Sequence, residues 1–125
     1  MKSFATASLL ALLVSGLAAG SSVAAEAKQD FTLVNKTGYD ISHVYVSPSK
    51  SDDWEEDVLG KDVLEDGDAW AIKFSRAEKS CKWDLKVVYS DDDSSAYWKG
   101  INLCEVGKIT IHYNRKSDTT SADLE

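Results

Sequence analysis

The sequence predicts an all-β protein, a small Ig-like β-sandwich or barrel of six to seven short antiparallel strands with one short helical turn. Short segments rich in β-branched and aromatic residues recur along the chain, and turn-forming residues separate most of them. No long segment shows the spacing of an amphipathic helix. The chain has 125 residues, which fits one small domain.

The strand predictions follow from side-chain alternation between turn signals. The clearest strand is 81–89, where Cys81, Trp83, Leu85, Val87 and Tyr89 share one face. We expect strands at Phe31–Asn35, Ile41–Ser47, Ala69–Phe74, Cys81–Tyr89, Ala96–Trp98, Ile101–Cys104 and Lys108–Tyr113. The first two are expected to form a hairpin around Gly38, and Gly100 is expected to mark a β-bulge.

The short helical turn is expected between residues 51 and 60. Ser51 or Asp52 can cap it, early carboxylates favour a helix N-terminus, and Gly60 can end it. The predicted organisation is a signal peptide over residues 1–25, a polar leader over 26–30, one β domain over 31–114 and a polar, mobile tail over 115–125.

The N-terminus has the pattern of a secretory signal peptide. Lys2 supplies a positive charge, residues 4–19 are almost wholly apolar or small, and small residues follow. Cleavage is predicted after Ala25 or Ala27. A membrane anchor is the alternative, but the apolar segment is short for one. We therefore expect a periplasmic or secreted protein with no membrane contact after cleavage.

Cys81 and Cys104 are the two cysteines of the chain, and an oxidising compartment favours a disulfide between them. Free or metal-binding thiols are the alternative. Two thiols without a neighbouring histidine make a poor zinc site. The sequence therefore predicts a structural disulfide.

The negative charge is concentrated in one segment. The chain has 14 basic and 21 acidic residues and a net charge of -7, which disfavours binding to nucleic acid or anionic lipid. Residues 52–68 contain nine acidic residues and Lys61 as the one basic residue. We expect a surface that binds a basic protein or an envelope ligand. The predicted partner-binding residues are Asp52, Asp53, Trp54, Glu55 and Glu56.

Three other interpretations of this segment remain open. The carboxylates could bind Ca²⁺, although the spacing of an EF-hand loop is absent. Trp54 or Trp98 could stack on a carbohydrate, whereas Trp70 and Trp83 are expected in the core. The acidic residues could also be simply solvated. The run Asp91–Asp93 is a second oxygen-rich cluster, of the kind common in turns.

Catalysis has little support in the sequence. His43 and His112 both lie in predicted strands, and no nucleophile elbow, phosphate loop or paired-histidine metal motif is present. We therefore predict no catalytic residues, no metal and no cofactor, with a small hydrolase as the least favoured function. Asn35-Lys36-Thr37 fits the N-glycosylation pattern, which matters only in a eukaryotic secretory pathway.

Several short motifs resemble those of a family of small exported bacterial proteins without an assigned activity. The motifs are Asn35–Gly38, Val44–Ser49, Trp54, Leu59-Gly60, Cys81–Leu85 and Asn102–Cys104. The resemblance implies a periplasmic or secreted location and brings no catalytic residues. Such proteins sometimes carry the label argininosuccinate lyase. That enzyme is several times longer, helical and cytoplasmic, so we judge the label mistaken for this chain.

Overall fold

The computed structural model describes residues 27–125, which form seven strands in two sheets. The strands are β1 (Phe31–Lys36), β2 (Ile41–Pro48), β3 (Ala69–Ile72), β4 (Lys82–Tyr89), β5 (Ser95–Asn102), β6 (Lys108–Asn114) and β7 (Thr119–Leu124). One sheet has the order β3-β1-β6-β7 and the other β2-β4-β5. This architecture confirms the all-β prediction and is consistent with a small β-sandwich. The predicted signal peptide lies outside the described residues.

The core lies between the two sheets, because alternate side chains of each strand point inward. On β4 the inward residues are Trp83, Leu85, Val87 and Tyr89, all buried, as the alternation predicts. Their counterparts on the larger sheet are Leu33 of β1 and Ile109 and Ile111 of β6, each fully buried.

The path between the first two strands differs from the prediction. β1 and β2 do not form a hairpin but belong to different sheets, and β1 pairs parallel with β6. The fully buried side chain of Asn35 stabilises this path. Its Nδ2 donates to the carbonyls of Tyr39 and Leu64 at 2.8 and 2.9 Å, and its Oδ1 accepts from the N–H and Oγ1 of Thr37. These bonds hold a wider turn that carries the chain to the other sheet.

The predicted helical turn over residues 51–60 does not form. Residues 27–125 contain no helix, and hence none long and apolar enough to span a membrane. The carboxylate of Asp57 instead accepts the N–H groups of Val44 and Leu59, both at 2.9 Å. The N–H of Val58 donates to the carbonyl of Val44 at 2.8 Å. The segment is thereby bonded to the free edge of β2 as a loop, which covers that edge.

The prediction of a polar, mobile tail over residues 115–125 is also wrong, because this segment contains β7. This strand pairs antiparallel with β6, with Leu124 opposite Ile109 at one end and Thr119 opposite Asn114 at the other. The hydroxyl of Tyr89 lies 2.8 Å from Oγ1 of Thr120, which connects β7 to the opposite sheet. Only one face of this edge strand is partly covered, so its sequence carries little hydrophobic signal.

The polar leader likewise belongs to the folded domain. Ala27 and Gln29 are both buried. The amide Nε2 of Gln29 donates to the carbonyls of Glu78 and Ser80, at 3.0 and 2.9 Å. The leader therefore holds the loop that precedes Cys81.

Two predictions about β4 and β5 are confirmed. Trp83 is opposite Ile101 and Leu85 is opposite Trp98, so β5 has one extra residue there, and Gly100 adopts a φ of 71°. This is the expected bulge. The predicted disulfide joins Cys81 and Cys104 just beyond the same ends of these strands, with a Cα–Cα distance of 5.2 Å.

The disulfide gives a stability prediction. Replacing both cysteines, Cys81→Ser with Cys104→Ser, frees a loop with a sequence separation of 23 in the unfolded chain. We expect a loss of about 3 kcal/mol in the free energy of unfolding. Urea denaturation of the variant and of the reduced wild-type protein should give the same loss. An unchanged transition midpoint in both would contradict the prediction.

Candidate functional site

Two cavities lie at opposite ends of the three-stranded sheet. In the pairing of β2 with β4, Ile41 is opposite Tyr89 at one end and Pro48 is opposite Trp83 at the other. At the second end is a cavity of about 410 Å³, called here the serine cleft, which is lined mainly by Ser47, Ser49, Ser51, Trp54, Asp84 and Lys99. At the first end is a cavity of about 370 Å³, called here the tyrosine pocket. It is lined mainly by Tyr39, Tyr89, Tyr113, Asp91, Asp92 and Asp118.

The serine cleft is built on the buried carboxylate of Asp84, which is 7% exposed. Its Oδ1 accepts from Oγ of Ser49 at 2.7 Å and from the backbone N–H of Gly100 at 2.9 Å. The left-handed conformation of Gly100 and the bulge make this N–H available. Side-chain alternation along 81–89 predicts instead that Asp84 lies on the polar outer face with Lys82 and Lys86. The sequence feature that comes closest to indicating that Asp84 is buried is the bulge predicted at Gly100.

The predicted partner-binding residues lie on one loop after β2. Asp52, Asp53, Glu55 and Glu56 are exposed, and together they are called here the acidic surface. No salt bridge between described residues includes any of the four. Of the predicted set, the structure places Asp52, Asp53 and Trp54 along the serine cleft, whereas Glu55 and Glu56 lie outside its lining.

Hydrogen bonds fix the backbone of this loop. Oγ of Ser51 accepts from the N–H of Asp53 at 3.2 Å and donates to its carbonyl at 3.1 Å. Oγ of Ser47 accepts from the N–H of Glu55 at 2.7 Å. The acidic surface therefore has an ordered main chain, which reduces the entropy lost on binding.

Trp54 is half-buried and already has a cation nearby. Nζ of Lys86 lies 6.0 Å from the centre of the Trp54 ring and 5.7 Å from that of Tyr45. The other tryptophans have different roles. Trp83 is buried in the core, as predicted. Trp70, which was also expected in the core, is only half-buried. Like Trp98, it packs against the core from outside.

The two histidines are each paired with a carboxylate and line neither cavity. Nδ1 of His43 lies 2.8 Å from Asp57, and Nε2 of His112 lies 3.0 Å from Asp123. Asp57 also bonds backbone N–H groups, so its role is structural. Within residues 27–125, no group of three or more His, Cys, Asp or Glu side chains is arranged to hold a metal ion.

Three aromatic rings form the wall of the tyrosine pocket. The ring centres of Tyr39, Tyr89 and Tyr113 are 5.6 to 6.3 Å apart. Their planes meet at 82°, 80° and 65°, which is the favourable edge-to-face arrangement. Three separate segments contribute these rings, so no local sequence pattern could reveal the cluster.

The polar groups of the tyrosine pocket have shifted pKa values. The hydroxyl of Tyr113 donates to Asp118 at 2.6 Å, and this bond raises the pKa of Tyr113 to about 12. Burial raises the pKa of Tyr89. Hydrogen bonds from the hydroxyl and N–H of Ser94 lower the pKa of Asp92. At neutral pH the pocket therefore combines neutral phenols with an ionised carboxylate.

The glycosylation pattern has no accessible acceptor in the folded protein. Asn35 is completely buried and both polar atoms of its amide are hydrogen-bonded. The structure assigns this residue to the turn that joins the sheets.

Comparison of the chain with known protein families, curated proteins and solved structures finds no significant match. The resemblance to small exported bacterial proteins therefore stays a prediction.

The buried carboxylate of the serine cleft gives a stability prediction. Asp84→Ala leaves the N–H of Gly100 and the hydroxyl of Ser49 without their acceptor. We expect a loss of about 1–3 kcal/mol in the free energy of unfolding. Asp84→Asn keeps an acceptor oxygen and should lose less. Chemical denaturation measures both, with the exposed Asp53→Ala as control, and equal stability of Asp84→Ala and Asp53→Ala would contradict the assigned role.

Proposed function

We propose that this protein is an exported, non-catalytic binding module that binds a basic partner through the acidic surface and the adjacent serine cleft. The partner is a cationic segment of a protein or of an envelope ligand. The observation that supports this proposal is the presence of four exposed carboxylates, without salt bridges among the described residues, beside Trp54 and a cavity.

The chemistry of these side chains favours lysine and arginine as the groups recognised. Unpaired carboxylates attract cations over about one Debye length, roughly 10 Å at 0.1 M salt. Near the surface, Trp54 offers an aromatic face on which an ammonium or guanidinium group can lie. Lys86 of the same chain lies within 6.0 Å of this ring. The ordered loop presents these groups together.

A carbohydrate is the second candidate ligand, because the serine cleft combines hydroxyls with Trp54. Oγ of Ser49 and of Ser51 already donate to groups of the protein, so fewer hydroxyls are free for a sugar. For the Ca²⁺ alternative, the described residues contain no group of three or more His, Cys, Asp or Glu side chains arranged to hold a metal ion. The basic partner therefore remains the favoured interpretation.

The proposal includes export, and the fold favours one of the two predicted cleavage positions. Ala27 is buried and its N–H donates to Oδ2 of Asp30 at 3.1 Å, while Oδ1 of Asp30 accepts the N–H of Phe74. Cleavage after Ala27 would remove this buried residue from the domain. Cleavage after Ala25 would retain it.

We therefore predict that the mature protein begins at Glu26. The full-length chain would be expressed with its own N-terminus, and the exported form would be examined by intact-mass measurement and N-terminal sequencing. A mature chain that begins at Lys28 would contradict the cleavage assignment. An uncleaved chain would contradict the export proposal itself.

The binding proposal is tested with a fluorescent oligolysine peptide as the probe. Four substitutions remove the charge of the acidic surface, namely Asp52→Asn, Asp53→Asn, Glu55→Gln and Glu56→Gln. We expect affinity for the probe to fall at least about tenfold, equivalent to 1.4 kcal/mol, and its salt dependence to weaken. Fluorescence anisotropy at several salt concentrations measures both quantities.

A matched variant separates the site from net charge. Asp62→Asn, Glu65→Gln, Asp68→Asn and Glu105→Gln remove the same charge from exposed residues outside the acidic surface and the serine cleft. We expect this control to bind the probe nearly as well as the wild type. Equal weakening of both variants would refute a defined site on the acidic surface. Circular dichroism checks that both variants remain folded.

A further inference from the structure

The tyrosine pocket is a second cavity that the proposed function does not use. It lies at the end of β4 that is opposite the serine cleft. Its volume of about 370 Å³ falls within the range of roughly 300–1,000 Å³ that is usual for small-molecule sites. The question is which ligand chemistry its lining would recognise.

Three tyrosines contribute to the wall of the pocket. Tyr39 comes from the turn after β1, Tyr89 from the end of β4 and Tyr113 from the end of β6. The planes of the three rings are steeply inclined to one another. Aromatic faces carry negative electrostatic potential and attract cations within about 6 Å of the ring centre.

The rim of the pocket is acidic. Asp91, Asp92 and Asp118 line it, and the described residues that line it include no lysine, arginine or histidine. In two of these three carboxylates, one oxygen accepts hydrogen bonds from neighbouring residues. Oδ1 of Asp92 accepts the N–H and hydroxyl of Ser94, and Oδ1 of Asp118 accepts the hydroxyl of Tyr113. These hydrogen bonds restrict the positions of the two carboxylates before any ligand binds.

We propose that the tyrosine pocket binds a small organic cation that carries an alkylammonium group. The three rings contact its alkyl groups and the rim carboxylates balance its charge. An anion would be repelled by the rim. A neutral apolar molecule would gain nothing from the carboxylates, whose partial desolvation costs free energy. A bare metal ion is not favoured, because the carboxylates do not converge with other ligands in a metal-binding group among the described residues.

The test compares choline with 3,3-dimethyl-1-butanol, which has the same shape without the charge. Each is titrated into the folded domain, and binding is followed by the aromatic proton resonances in NMR. We expect choline to shift the resonances of Tyr39, Tyr89 and Tyr113, and to bind at least about tenfold more tightly than the alcohol. Equal binding of the two compounds, or no binding of choline, overturns the proposal.

Matched variants assign the contribution of the rim. Asp91→Asn, Asp92→Asn and Asp118→Asn remove three charges while keeping an acceptor oxygen for Ser94 and Tyr113. Asparagine also tolerates the positive φ of 53° at Asp118. We expect choline affinity to fall at least about tenfold. Asp62→Asn, Glu65→Gln and Asp68→Asn remove the same charge from exposed residues outside both cavities and should leave choline binding unchanged. Equal effects of the two triple variants refute a local site.

A second pair of variants assigns the contribution of the aromatic wall. Tyr39→Leu removes an aromatic face but keeps an apolar side chain, whereas Tyr39→Phe keeps the ring. We expect Tyr39→Leu to weaken choline binding severalfold and Tyr39→Phe to leave it nearly unchanged. Because Tyr39 is only partly buried, both variants should fold, and thermal melting checks this. Equal binding by the two variants shows that the aromatic face contributes nothing and overturns the proposal.

Discussion

The buried amide of Asn35 is the interaction on which the arrangement of the two sheets depends. It donates hydrogen bonds to the carbonyls of Tyr39 and Leu64. Tyr39 lies on the segment that leaves β1, and Leu64 lies on the segment that leads to β3. The backbone of Asn35 also exchanges hydrogen bonds with Gly67 and Asp68, at 2.7 and 2.9 Å. Without this side chain, the N–H of Thr37 would lose its acceptor, and an unsatisfied buried polar group costs about 1–3 kcal/mol. The two carbonyls would each keep one other donor, Oγ1 of Thr37 or the N–H of Ile41. The same turn also places Tyr39 against the end of β4.

The central strand β4 connects the two candidate sites. Near its first residues, the bulge opposite Asp84 opens the cleft beside the acidic surface. At its last residue, Tyr89 closes the apolar core and forms part of the tyrosine pocket. Between these ends the inward face is buried, and the disulfide fixes the end that carries the cleft. Both sites therefore belong to a rigid framework, which limits the ordering cost of binding.

The sequence predicted features that depend on local pattern. The alternation in 81–89 predicted β4, the glycine at 100 predicted the bulge, and two cysteines in a chain expected to be exported predicted the disulfide. Features that depend on long-range contacts were missed. β7 gains its order from pairing with β6, Asp84 is buried only because of the bulge, and the pocket tyrosines come from three distant segments.

The two sites are both acidic, but solvent exposure makes them physically different. The acidic surface is exposed to solvent, so its attraction for cations acts at long range and is screened strongly by salt. The tyrosine pocket adds contact with aromatic faces, an attraction that acts at short range and needs a ligand that fits. An extended basic partner therefore suits the acidic surface, whereas a compact alkylammonium group suits the pocket. Because the sites lie at opposite ends of β4, a substitution in one need not alter the other, and their energies should be additive.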